Sequence, residues 1–189
     1  GWVADEGSFN ESYGKVPAEE FRQQIKQGIG SEADEILKLY PSDNETNCAE
    51  SQKDFARDIS VFSMNMWAKN RKNTAKTNIY TYIFTHQQPG DTKERYLAFH
   101  SSELPYIFNN LNHAPRPWET KDREIAEIMS NYWVNFISTG NPNGTGLEKW
   151  IEYTAGSEQI MELGDRMEMR SIAGSEKIEA MKKIFKDNE

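Results

Sequence analysis

Two segments of the chain carry side chains that can perform acid–base chemistry. His100 directly follows the apolar run 96–99. The polar residues Ser101 and Ser102 come next, and a helix start is predicted there. A loop after an apolar segment both holds an imidazole and leaves it reachable, which a general base requires. From the pattern alone, a capping or structural histidine explains this segment as well as a catalytic one does.

The acid that would suit such a base lies near the start of the chain, in the segment Asp5-Glu6-Gly7-Ser8. Trp2 to Ala4, directly before it, are apolar, and we interpret them as the end of a buried strand. Gly7 permits a tight turn, and a carboxylate in such a turn can orient an imidazole through its second nitrogen. By itself, however, the segment is more simply interpreted as an ordinary polar turn.

Other catalytic or ligand-binding patterns are missing from the sequence. His86 and His113 favour packing or surface roles, and the single cysteine, Cys48, has no partner for a disulfide. Zinc-type spacings and the glycine motifs that bind nucleotides do not occur, so we expect no metal and no cofactor. The chain also lacks a Gly-x-Ser-x-Gly sequence, the nucleophile elbow of serine hydrolases.

The composition excludes several classes of function. The formal net charge is −8, and an acidic surface repels phosphate backbones, so we expect no nucleic-acid partner. No stretch approaches the ~20 consecutive apolar residues that a membrane span needs. The chain begins at Gly1, without an initiator Met or a charged-then-apolar leader, so we expect it to start inside a longer protein or to have been processed or trimmed.

Helices dominate the predicted elements that must position these side chains. Helical spacing of apolar residues, with start and stop signals, predicts helices over about 17–28, 31–40, 51–72, 119–139 and 175–186. Strands are predicted at 79–84, 160–163 and 167–169, and a polar loop at 41–50. So few strands cannot easily bury both faces of a sheet, and this predicts a piece of a larger domain.

The predicted helix over 119–139 has the strongest pattern. Its apolar residues from Ile125 to Ile137 form a wide stripe that should face a core, and Gly140 is a natural stop.

Several segments resemble the type-B carboxylesterase and cholinesterase-like family, in that family's order. GWVADEGS (1–8) resembles the segment that bears the family's triad acid, and NIYTYIFTH (78–86) resembles its Y-x-Y-x-F strand. AFHSSELPYIFNNL (98–111) resembles the family's histidine segment. YWVNFISTGNPNG (132–144) and the W-x-x-Y of residues 150–153 resemble its helix and turn near the C-terminus.

The resemblance assigns roles to three residues. Glu6 would be the triad acid and His100 the triad base. The family more often has Gly after the histidine, whereas Ser101 stands here; we expect little chemical consequence, because the base is kept. Glu103 is either a second-shell residue that steadies the histidine loop or an acid favoured in the first turn of a helix.

The resemblance also implies a fold and a reaction. The fold class would be α/β: residues 1–189 would form the C-terminal portion of a single α/β-hydrolase domain, mostly helical with few strands. The nucleophilic serine would lie in the N-terminal part of the same protein, upstream of this chain. The implied reaction is hydrolysis of a small-molecule carboxylic ester through an acyl-enzyme, and the chain alone is expected to be inactive.

Two alternatives remain open at this stage. One is a relative with the same fold that serves adhesion or binding and lacks the nucleophile, which the upstream sequence would reveal. The other is an independent helical binding module, which would form a cooperative monomer without exposed apolar surface. The compartment also stays open, since bacterial members of the family are either cytoplasmic or exported.

Overall fold

The computed structural model describes residues 1–154 and 156–186. About half of the chain is helical, and the strands are few and short. The helices are α1 (Ala18–Ile29), α2 (Ala33–Leu39), α3 (Glu45–Thr74), α4 (Lys93–Tyr96), α5 (Leu104–Ile107), α6 (Thr120–Thr139) and α7 (Ser175–Lys186). The strands are β1 (Trp2–Val3), β2 (Tyr82–Phe84), β3 (Gln159–Leu163) and β4 (Met167–Ser171).

The four strands form one mixed sheet in the order β1-β2-β3-β4. The first three strands are parallel, with Val3 opposite Phe84 and Phe84 opposite Leu163, and β4 returns antiparallel to β3. Parallel strands end at the same edge of a sheet. The residues that follow β1, β2 and β3 are therefore brought to one edge, and the acidic segment at Asp5 is among them.

The chain divides into two compact units. The first consists of Gly1–Phe9 and Met64–Ser171, and the second of Asn10–Ser63 with the residues from Ile172 onward. The sheet, Glu6 and His100 all belong to the first unit.

The core of the first unit lies between the sheet and helices α5 and α6. Tyr132 on α6 is fully buried, and its hydroxyl donates to the Glu148 carbonyl at 2.6 Å. Trp150 donates from its indole N–H to the Thr81 carbonyl at 3.1 Å. The buried members of this core are Val3, Phe84, Tyr106, Ile107, Leu111, Ile125, Ala126, Met129, Tyr132, Trp150, Met161 and Leu163.

Helix α6 ends as predicted, but its apolar stripe is narrower than the sequence pattern predicts. Gly140 adopts a left-handed conformation with φ 75°, and its N–H closes the last turn on the Phe136 carbonyl at 2.8 Å. Phe136 and Ile137, however, are 43% and 78% exposed. Ile125, Met129 and Tyr132 are buried in the core of this unit, and Ile128 and Trp133 pack against it while partly exposed.

The second unit is a helical cluster of α1, α2, α7 and the first part of α3. Tyr40, which follows α2, is 1% exposed and donates to Asp58 on α3 at 2.7 Å. Lys177 on α7 binds the same carboxylate at 2.9 Å and lies 4.3 Å from the centre of the Tyr40 ring. Burial raises the pKa of Tyr40, and the negative charge of Asp58 adds to the effect. The phenol therefore stays a hydrogen-bond donor at neutral pH.

The structure corrects the prediction of a polar loop over 41–50. Helix α3 already begins at Glu45, because the side chain of Asn44 accepts a hydrogen bond from the Asn47 N–H at 2.9 Å and caps the helix. Residues 45–50 of the predicted loop thus form the first turns of the helix, while residues 41–44 precede it.

Two other boundaries also differ from the predictions. The strand predicted at 79–84 pairs only over Tyr82–Phe84. The helix after His100 begins at Leu104 and not at Ser101 or Ser102, because Ser101 has a φ of 69°, which a helix cannot contain. Within the described part of the chain, no helix combines the length and apolarity needed to cross a membrane.

Candidate active site

Glu6 and His100 are in contact, although 94 positions separate them in the sequence. An oxygen of the Glu6 carboxyl group lies 2.5 Å from Nδ1 of His100. Glu6 follows β1, and His100 lies in the loop between α4 and α5. The structure thus brings together the two residues that the sequence analysis singled out as acid and base.

The contact leaves the other ring nitrogen of His100 available. A carboxylate only accepts hydrogen bonds, so Nδ1 carries the proton in this pair and Nε2 keeps its lone pair when the imidazole is neutral. Nε2 has no hydrogen-bond partner among the described residues, and the His100 side chain is 64% exposed. The arrangement can therefore take a proton from a group that approaches Nε2 and stabilise the resulting imidazolium.

Asp5 connects the two loops that carry the pair, a connection that the sequence analysis did not predict. The Asp5 N–H donates to the Ala98 carbonyl at 2.9 Å, and the Ala98 N–H donates to the Asp5 carboxylate at 3.2 Å. Asp5 is 5% exposed and Ala98 is fully buried.

Gln88 holds the same loop from its other side. Its side-chain amide donates to the Ser102 carbonyl at 2.8 Å, and both residues are buried. No sequence pattern pointed to Gln88, because a single polar residue in a loop has no periodicity.

Three buried polar atoms next to the pair have no hydrogen-bond partner. They are Oγ of Ser8, Oγ of Ser102 and Oε2 of Glu103. Within the described residues, no other buried side-chain oxygen or nitrogen lacks a hydrogen-bond partner. Each of the three belongs to a residue within three positions of Glu6 or His100. Buried polar atoms in folded proteins are nearly always paired, so this cluster needs a physical explanation.

Glu103 has a perturbed acidity. Burial raises the pKa of its carboxyl group above the ordinary value, and the negative charge of Glu6 raises it further, while the charge of His100 opposes both. Glu103 is the residue directly before α5, a helix of four residues, and its side chain makes no capping hydrogen bond. Both roles considered for Glu103, steadying the histidine loop and serving as an acid in the first turn of a helix, therefore stay predictions.

Three aromatic rings cluster around the residue that precedes His100. Phe99 directly precedes His100 in the sequence, and the ring of Phe9 lies 5.4 Å from that of Phe99 and 5.3 Å from that of Tyr96. Phe9 is 57% exposed. An exposed apolar ring therefore packs against Phe99.

The other two histidines lie elsewhere. His86 follows β2, and its ring nitrogens lie 2.9 Å from the Asp122 carboxylate and 2.7 Å from that of Asp165. Its side chain is only 10% exposed, which agrees with the predicted packing role. His113 is exposed. Among the described residues, no group of three or more His, Cys, Asp or Glu side chains has an arrangement that could hold a metal ion.

The sheet and the site define an α/β protein with an acid–base pair on loops that follow or flank parallel strands. The model of the carboxylesterase family matches residues 8–181, and the chain belongs to that family, whose fold is the α/β hydrolase. His100 lies inside the matched range, whereas Glu6 precedes its first residue by two positions.

Individual relatives agree with this membership. The chain is 28% identical to bile salt-activated lipase of Bos taurus over 109 residues, 56% of this chain and 18% of the relative. It is 27% identical to carboxylesterase 4A of Bos taurus over 139 residues, 71% and 24% of the two chains. Acetylcholinesterase of Bungarus fasciatus is 23% identical over 189 residues, which cover 86% of this chain and 30% of that enzyme. The chain thus spans less than a third of the length of these relatives.

Proposed function

We propose that this chain supplies the acid and the base of a serine carboxylesterase, and that a serine upstream of the chain supplies the nucleophile. One observation carries the proposal: the Glu6 carboxylate lies 2.5 Å from Nδ1 of His100, and Nε2 of that ring is accessible. This is the relation between acid and base that a serine triad requires. Membership of the carboxylesterase family supports the ester as substrate.

In the proposed reaction, His100 takes the hydroxyl proton of the serine at Nε2 while the serine oxygen attacks the ester carbonyl carbon. The tetrahedral intermediate then collapses, the bond to the alcohol oxygen breaks, and His100 gives its proton to the departing alcohol. Water attacks the acyl-enzyme by the same route, which releases the acid and restores the serine. Glu6 stabilises the imidazolium in both halves and stays ionised. No cofactor takes part.

The three unpaired polar atoms support a site that is completed from outside this chain. Ser8, Ser102 and Glu103 lie within three positions of Glu6 or His100 in the sequence, and their buried oxygens lack partners within the described residues. Burying an unpaired polar group costs about 1–3 kcal/mol, so a fold rarely leaves three together. We propose that polar groups of the upstream polypeptide bind these oxygens in the full-length protein and bring the nucleophile close to Nε2.

In the proposed site, Glu103 steadies the histidine loop without contacting the substrate. Burial and the charge of Glu6 raise the pKa of its carboxyl group, which supports a place close to the pair. Glu103→Gln separates a role in turnover from a role in folding.

Hydrolysis of a p-nitrophenyl ester by the full-length protein that contains this chain tests the proposed function. His100→Gln and Glu6→Gln should each lower kcat/KM on the order of 10³-fold or more. The first substitution removes the base, and the second removes the carboxylate that orients it. His113→Gln is the matched control: this histidine is exposed and lies outside the site, so its activity should equal that of the wild type. Wild-type turnover that survives both site substitutions would exclude the proposed mechanism.

A further inference from the structure

We infer that Asp5 is a positioning residue, which acts by fixing the loop of His100 to the loop of Glu6. The expected effect of Asp5 on turnover rests on the proposed function. The positioning of the histidine loop rests only on contacts within the first unit.

Asp5 makes a two-way connection between the loops. Its backbone N–H donates to the Ala98 carbonyl at 2.9 Å, and its carboxylate accepts from the Ala98 N–H at 3.2 Å. Asp5 precedes Glu6 directly, and Ala98 lies two residues before His100. Loss of either hydrogen bond would therefore let Glu6 move relative to His100.

The loop that Asp5 holds has a backbone that needs support. Leu97 and Ser101 have φ values of 55° and 69°, on either side of His100. Non-glycine residues in this left-handed region cost free energy and persist where surrounding contacts hold them. Asp5 binds the residue that follows Leu97, and Gln88 binds the carbonyl of the residue that follows Ser101. The histidine loop is thus held at both ends by buried side chains.

The chemistry of the carboxylate suits this role. Asp5 is 5% exposed, so its hydrogen bond to Ala98 is shielded from competing water. Glu6 makes the contact with Nδ1 of His100, whereas the Asp5 carboxylate accepts from the backbone of the loop at Ala98. This division explains why two adjacent acids are used: one orients the ring and the other orients the backbone that carries it.

Two substitutions in the full-length protein separate positioning from general stability. Asp5→Ala removes the acceptor for Ala98 and should lower kcat roughly 10- to 100-fold per active site, with KM changed less than about twofold, because misplacement of a catalytic group weakens the chemical step. Asp5→Asn keeps a side-chain oxygen as acceptor and should restore most of the loss. Asp122→Ala, which removes another buried carboxylate of the same unit, controls for general loss of stability and should leave kcat per titrated site unchanged.

A double-mutant cycle tests whether Asp5 acts through Glu6. Asp5→Ala should have a far smaller effect in a Glu6→Gln background than in the wild type, because the contact that it positions is already lost. Equal effects in both backgrounds, or full turnover per titrated active site in Asp5→Ala, would overturn the inference.

Proton NMR of the full-length protein with labelled histidine gives a readout that needs no turnover. The hydrogen-bonded Nδ1 proton of His100 should give a downfield signal that weakens or shifts in Asp5→Ala and returns in Asp5→Asn. If the wild type hydrolyses no ester but this signal depends on Asp5, the proposed function fails and the positioning role stands. A signal that is the same in all three proteins would refute the positioning role independently of activity.

Discussion

We propose that three carboxyl groups act on one imidazole at the candidate site, each in a different way. Glu6 contacts Nδ1 of His100 directly, and Asp5 holds the backbone of the histidine loop. Glu103 has no hydrogen bond from its buried oxygen and is coupled to the pair through charge. Because these contributions differ physically, single substitutions should have separable effects.

Glu103→Gln should lower turnover of the full-length protein roughly 3- to 10-fold while the protein remains folded, because a negative charge near the imidazolium is lost. Turnover per titrated active site measures this effect. Unchanged turnover would leave Glu103 only a structural role at the start of α5.

The same substitution should stabilise the protein at neutral pH. Folding raises the pKa of the Glu103 carboxyl group above its ordinary value of 4.5, so the unfolded chain loses this proton first as the pH rises. Wild-type stability therefore falls above about pH 4.5, relative to Glu103→Gln, until the folded protein also ionises. Denaturant unfolding at several values between about pH 4 and pH 7 measures the difference, which should vanish at the acidic end.

At the scale of elements, buried polar contacts join the ends of strands and helices. His86 follows β2 and lies between Asp122 on α6 and Asp165 in the β3–β4 turn. Asp122 also accepts from the Tyr106 hydroxyl at 2.6 Å and from the Glu119 N–H at 2.8 Å. One carboxylate thus caps α6 and binds two other elements of the first unit.

The tight β3–β4 turn depends on Gly164. A Cβ atom there would lie 2.3 Å from Oγ1 of Thr85, which follows β2. Only glycine allows this approach without displacement, so the position of Asp165 beside His86 depends on it.

Two aspartates that contact the same histidine should differ strongly in their effect on stability. The Asp122 side chain is 2% exposed and that of Asp165 is 77% exposed. Asp122→Ala should reduce the free energy of unfolding by about 3 kcal/mol, because it removes a helix cap and leaves buried donors unpaired. Asp165→Ala should cost less than about 1 kcal/mol, since water screens an exposed ion pair. Urea unfolding of the full-length variants checks both values, and equal losses would contradict this account.

At the scale of the whole molecule, the first unit exposes surfaces that usually lie inside a larger domain. Within the described residues, β1 pairs only with β2, so its other edge has no neighbouring strand. Val134, Phe136, Ile137 and Ile151 are all more than 40% exposed. Exposed large apolar side chains and an open sheet edge favour association with further polypeptide.

The isolated chain of residues 1–189 should therefore hydrolyse no p-nitrophenyl ester and should self-associate. The chain has no Gly-x-Ser-x-Gly sequence, so it offers no nucleophile elbow. Product release followed by absorbance tests activity, and sedimentation over a range of concentrations tests association. Turnover that depends on His100 in the isolated chain, or a monomer at all concentrations, would contradict the expectation that the active protein needs upstream sequence.

Local patterns predicted some elements well and others poorly. Helix α6 was predictable because its apolar spacing and the stop at Gly140 are both local. The start of α3 was missed because its first turns consist of polar residues, and such a composition is typical of a loop. The cap by Asn44 starts the helix there. The strand at 79–84 was predicted too long, since pairing with β1 and β3 decides where β2 ends, and those partners lie far away in sequence.

Short, ordered strings of residues were enough to predict Glu6, His100 and Glu103 as candidates and the family that they resemble. The folded chain was needed to show that Glu6 contacts Nδ1 of His100, that Asp5 and Gln88 bind the histidine loop, and that His86 lies between two carboxylates. These hydrogen bonds join segments that are distant along the chain. The spacing of residues within the Glu6 segment or the His100 segment does not predict where the other segment lies. The parallel sheet and the packing of α5 and α6 against it set the distance between them.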